Sequence, residues 1–120
     1  CTLPPIGECL DSAINQHIGK FNNFIKKTAQ EKNISVLDVS DSMWDELSKR
    51  TYPVKKNYNP KMTAIAKDIF GAWIKHYIFK KPWDRVGESR RQWLLFDQIH
   101  LGERGARVMF NLAKGYISTN

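Results

Sequence analysis

No stretch of this sequence approaches the roughly 18–20 consecutive apolar residues needed to span a bilayer, so no transmembrane segment is read from it. Cys1–Leu10 holds two prolines and an acid and does not read as a signal peptide. The chain starts without methionine in an apolar stretch that breaks into Pro4-Pro5, which reads as an excised piece rather than a natural amino terminus. Cysteine is scarce: Cys1 and Cys9 flank a Pro-Pro-x-Gly turn and lack the CxxC spacing of zinc or redox sites. With only three histidines, no metal cluster is expected, and two free thiols are the default, a disulfide within this loop being open but not implied. Internal repeats and low-complexity stretches are missing. So is any arginine-rich helix face or alternation of aromatic and basic residues. The net charge of +7 therefore reads as a solvated basic surface, not a nucleic-acid interface: the pairs Lys26–Lys27, Lys49–Arg50, Lys55–Lys56, Lys80–Lys81 and Arg90–Arg91 are scattered and punctuated by acids.

What the chain has is material for one domain. Its 120 residues are 42% apolar and 26% charged, with four tryptophans and six phenylalanines to build a core. Cys1-Thr2-Leu3 reads as a strand end stopped by Pro4 and Pro5 and turned by Gly7. Ile14, Ile18, Phe21, Phe24/Ile25 and Ala29 recur at three- to four-residue spacing, predicting an amphipathic helix from about Asp11 to Lys32. Asn33 is a suitable stop. The β-branched run Ile34–Val39 suits a buried strand, so a right-handed βαβ unit of a parallel sheet is expected here. A short helix over Asp41–Lys49 has Ser40 or Asp41 as its cap. Met62, Ile65, Ala66, Ile69, Phe70, Trp73, Ile74, Tyr77 and Ile78 predict a long helix over Lys61–Phe79. Pro82 opens a further short helix through about Gln92, and a last helix covers Glu103–Ile117.

Chemistry concentrates in Phe96-Asp97-Gln98-Ile99-His100-Leu101-Gly102-Glu103-Arg104-Gly105-Ala106. A serine hydroxyl becomes a nucleophile only when an imidazole removes its proton, and a carboxylate must hold that imidazole in one tautomer. Asp and His three apart on one tight turn put both side chains on the same side, leaving the hydroxyl to arrive from elsewhere. Alone, D-x-x-H is a short motif that recurs by chance, as a capping Asp beside a partly buried His. Here an apolar run precedes it, H-L-x-x-x-G-A continues it into an amphipathic helix, and it lies near the carboxyl end. In these features the segment resembles the final sequence block of the SGNH (GDSL-type) serine hydrolases. Cys1-Thr2-Leu3-Pro4-Pro5-Ile6-Gly7-Glu8, the helix after it and Val36-Leu37-Asp38-Val39 are similar to the second half of that family's domain and follow in its order. The likeness covers Cys1–Ser40 and about Trp83–Ile117, with residues 41–81 as a variable insertion.

The resemblance implies the C-terminal half of a three-layer α/β/α flavodoxin-like sandwich with parallel strands, mostly helical by residue count. It implies carboxylic ester hydrolysis through an acyl-enzyme, with Asp97 orienting His100 and His100 acting as general base and then acid, and no metal or organic cofactor. The nucleophilic serine and the oxyanion donors would lie upstream of Cys1. Ser40-Asp41-Ser42-Met43 imitates a nucleophile turn but lacks the glycine and stands in the wrong block order, and reads instead as a capping cluster. Gly102 stands where family members often have Asn or Ser, which removes a cap and loosens the loop. His17 and His76 read as helix residues and Asp38 as a binder of loop amides. Trp44, Trp73, Trp83 and Trp93 are candidates to line an acyl pocket, with packing expected for Trp73. Pro4–Glu8 and Tyr52–Tyr58 are candidate cleft walls. The expected partner is the missing N-terminal half or a swapped copy of this chain, and the substrate an ester. Rival readings are a non-catalytic module using the hydrolase scaffold for protein contacts, and a basic binder of nucleic acid or anionic surfaces.

Overall fold

A computed structural model describes residues 1–53 and 58–119. The Lys55–Lys56 pair and the middle of the Tyr52–Tyr58 segment lie outside them. Among the described residues five α-helices follow in order: α1 (Ala13–Glu31), α2 (Val39–Ser48), α3 (Met62–Trp73), α4 (Trp83–Glu88) and α5 (Glu103–Thr119). A π-helical turn, Ile74–Ile78, continues α3, so the predicted long helix is right in place but changes winding at its end.

The parallel α/β sandwich is not what forms. Among the described residues there is no strand, and the one β-bridge is antiparallel, Leu95 with Leu101. The physical reason lies in α1. Of its expected apolar stripe Ala29 is buried, but Phe21 and Phe24 are exposed, and Asn15 and Asn22 join Ala29 inside at seven-residue spacing. Asn22 accepts the Leu3 amide hydrogen at 2.7 Å and donates to the Leu3 carbonyl at 2.9 Å. Asn15 does the same for Ile6, at 2.9 and 3.0 Å, and also donates to the Cys9 carbonyl. Side-chain amides thus take the backbone groups that a neighbouring strand would have used. Residues 34–38 meet the N-terminal segment through one backbone bond, Thr2 N–H to the Leu37 carbonyl, and Val39 already begins α2.

Asp38 caps α2 through the Asp41 amide, accepts from the Thr2 hydroxyl at 2.9 Å and pairs with Lys26 at 2.5 Å. The Ser40 amide donates to the same Thr2 hydroxyl, and the Ser42 hydroxyl donates to the Asp38 carbonyl. That imitation nucleophile turn is therefore the first turn of a helix. Val39, Met43 and Leu47 of α2 bury themselves with Leu94, and Leu101, Val108 and Leu112 from the α5 side close over them.

The deepest tie between the ends of the chain is Glu8, whose carboxylate is essentially inaccessible. It accepts the amide hydrogens of Trp93 (2.7 and 2.8 Å), Leu94 (2.6 Å) and Leu95 (2.9 Å), with Arg50 at 3.4 Å. Helices α4 and α5 cap one another: Glu103 accepts from the Trp83 and Asp84 amides, and Asp84 accepts from the Arg104 amide at 2.9 Å. Burial pushes the Glu103 carboxyl up, but the Asp84 and Trp83 amides, with its own amide and the Asp84 side chain, together hold it below the usual glutamate range. Gly102 therefore costs no cap, contrary to expectation. A Cβ there would sit 2.6 Å from the Asp84 carboxylate oxygen, so glycine is what lets the reciprocal cap close. The Cα radius of gyration, 15.5 Å, exceeds the about 14 Å typical of a compact chain this long, and several helix faces stay bare.

Two expectations follow. Glu8→Gln keeps the shape but turns an amide NH₂ toward backbone N–H groups. It should lower unfolding free energy by about 3 kcal/mol in urea titrations; a loss below about 1 kcal/mol would mean the carboxylate is not what ties the ends together. For Asp38, burial raises the carboxyl, but Lys26, the Asp41 amide and the Thr2 hydroxyl together hold it below its ordinary value. Its folded value is thus beneath the about 3.9 of a free aspartate, so its contribution is complete above that pH and fades as pH falls through the folded value. Stability below about pH 4 should therefore drop more steeply in the native protein than in Asp38→Asn; parallel curves would contradict this.

Candidate functional site

Leu94–Gly102 folds back on itself. Phe96 N–H donates to the His100 carbonyl at 3.0 Å and Gly102 N–H to the Leu94 carbonyl at 2.7 Å, bracketing the Leu95–Leu101 bridge. The loop's base is held by Glu8 through Leu94 and Leu95. Gly87 presses on it from α4, where a Cβ would come within 2.3 Å of the Leu95 carbonyl oxygen.

At the tip the structure brings Asp97 and His100 together. Asp97 Oδ1 accepts the amide hydrogens of Ile99 (3.0 Å) and His100 (2.8 Å), and Oδ2 meets His100 Nδ1 at 2.7 Å. The carboxylate is buried while the imidazole is 56% exposed. A carboxylate accepts, so in the neutral imidazole this contact selects the tautomer with the proton on Nδ1 and the lone pair on Nε2. Phe96 stacks on the ring at 5.7 Å and 16°, so its face as well as its edge is held.

Gln98, between the pair, has φ of 101°, a region that strains any residue but glycine. It is held there from three directions. Its carbonyl accepts the Gly7 amide at 2.9 Å, its side-chain oxygen accepts the Asn59 amide at 2.8 Å, and its NH₂ donates to Asp68. Strain tolerated next to a titratable pair is a common mark of a working loop. The strain at Gln98 has no signal in the sequence, and Glu8, expected only as part of a cleft wall, shows its buried role by no more than being a lone acid after the Pro-Pro-x-Gly turn.

The other candidates are spent elsewhere. His17 Nδ1 meets the Ala13 carbonyl of its own helix. His76 meets the Lys81 carbonyl and stacks on Trp83 at 3.8 Å, and Trp83 stacks on Phe96 at 4.2 Å. Trp93 lies under Arg104, whose guanidinium is 3.6 Å from the ring centroid and donates to the Trp93 carbonyl. Trp73, expected to be packed, is half exposed, as is Trp44 to a lesser degree. Pro4–Glu8 is engaged by Asn15 and by the Trp93–Leu95 amides rather than standing free as a cleft wall. Tyr52 donates to the Gln92 carbonyl; burial, with the charges of Glu88 and Glu8, raises its phenol. Cys1 and Cys9 are free. Among the described residues no three His, Cys, Asp or Glu side chains gather as a metal site requires, and no helix is long and apolar enough to cross a membrane.

No family model matches the chain, and no curated protein or solved structure matches it either.

The geometry makes a spectroscopic prediction. A ring N–H donated to a buried carboxylate should give a strongly deshielded imidazole proton resonance. It should vanish in both Asp97→Asn and His100→Ala and persist in His17→Ala; its absence from the native spectrum would remove the pair.

Proposed function

We propose that Asp97 and His100 form the acid–base part of a serine-type ester hydrolase site, with the hydroxyl brought to Nε2 by another segment or chain. The observation that carries this is the 2.7 Å contact between a buried carboxylate and the Nδ1 of an outward-facing ring. Burial and the Ile99 and His100 amides fix the carboxylate in one position, and the carboxylate fixes the tautomer. The free nitrogen is then available to take a hydroxyl proton and return it to the leaving alkoxide. The likeness of Phe96–Ala106 to the final block of the SGNH hydrolases supports the same reading for this loop, although the parallel sandwich that the likeness implied does not form. Among the described residues no hydroxyl or thiol donates to the His100 ring, so the nucleophile must be supplied. That same fact favours a second reading, a module that keeps the pair but serves only as a contact surface for protein partners.

One experiment separates the two. The chain is combined with the segment or protein that copurifies with it and treated with a fluorophosphonate probe. A site of this kind should label one serine, and His100→Ala should reduce labelling by about 10³-fold or more. An assembly that never labels, or labels equally well without the imidazole, leaves the contact-module reading.

A further inference from the structure

Helix α3 turns an apolar strip away from the rest of the molecule. Met62, Ala66, Ile69, Phe70 and Trp73 follow helical spacing on one side, while Ala72 on another side is the fully buried attachment point. Met62 is 77% exposed, Phe70 64% and Trp73 51%. The π turn carries the strip onward through Tyr77, Ile78 and Phe79, all at least half exposed. Side chains of this size standing together in water call for a covering surface.

The charge around the strip says which. Lys61, the N-cap of α3, and Lys67 on α3 border it, and Lys80 and Lys81 stand at its far end; all four are exposed. Among the described residues none of them is in an ion pair, and the acid on α3, Asp68, is half-buried and accepts from Gln98. A second copy of the chain would bring like charges against one another. A nucleic acid would meet aliphatic and aromatic side chains where it needs donors to phosphate. An anionic lipid surface satisfies both features, taking the apolar strip between acyl chains and the ammonium groups at the phosphates, with Trp73 and Tyr77 at the level where such rings settle. We infer that this face, residues 61–81, docks the protein on anionic membranes. The aromatic contacts Tyr77–Trp83 (6.1 Å), Trp83–Phe96 and Phe96–His100 run from the strip to the imidazole. The docking does not depend on the hydrolase reading.

The test is cosedimentation of the full chain with phosphatidylcholine vesicles, with and without phosphatidylglycerol. The expected result is binding to the anionic vesicles only, weakened by salt. Phe70→Ser/Trp73→Ser should abolish it, and Lys80→Glu/Lys81→Glu should weaken it by at least about fivefold per lysine. Because these side chains are exposed, both variants should keep the native circular dichroism spectrum. No binding to anionic vesicles overturns the inference. So does binding that both variants retain, binding to RNA that survives loss of the two aromatics, or self-association of the free chain that Phe70→Ser/Trp73→Ser removes while vesicles stay unbound.

Discussion

The Glu8 carboxylate gathers the amide hydrogens of Trp93, Leu94 and Leu95 into a buried cluster, with the Arg50 guanidinium alongside. Three consecutive N–H groups in an interior need an acceptor, and an ionised acceptor there needs several donors; each supplies what the other lacks. Leu94, fixed in this way, is the residue around which Val39, Met43 and Leu47 pack. Leu95, fixed in the same way, begins the turn that carries Asp97 and His100. Core and candidate site are therefore anchored by one side chain.

Around that anchor the chain uses polar side chains where other small domains use a sheet. Asn15 and Asn22 pair with the backbone of Ile6 and Leu3, Asp38 and Thr2 knit the start of α2 to the N-terminal segment, and Glu103 and Asp84 exchange helix caps. Each of these interactions is directional, so each fixes register as well as contributing energy. The result is an open arrangement in which α3 and its π turn are tied to residues 89–98 by a few hydrogen bonds beside the buried Ala72, Gln98 donating to Asp68 among them. Arg90 donates to the carbonyls of Asp68 and Phe96, and Lys75 to the Ser89 hydroxyl. That mode of attachment leaves the apolar side of α3 free to face something else.

Local signals survived into the structure best. The periodic runs became helices near their expected places, because amphipathic spacing and chain stiffness act within a few residues. Asp97 and His100 were legible for the same reason: three residues on a tight turn cannot lie far apart. The strands were not. Ile34–Val39 has the composition of a strand, but composition cannot say whether a partner will compete for its backbone groups. On α1 the hydrophobic spacing pointed to Phe21 and Phe24, whereas hydrogen-bond demand from Leu3 and Ile6 turned the asparagines inward.

From the residues alone come the helical segments, the basic excess and the proximity of one carboxylate to one imidazole, since all depend on neighbours in the chain. Tertiary structure alone decided that Glu8 would meet residues 93–95, that Gln98 would be held at a strained φ, and that Gly102 would make room for the Asp84 cap. Those contacts join groups far apart in the chain, and a buried polar atom chooses its partner only once burial has removed water as the alternative.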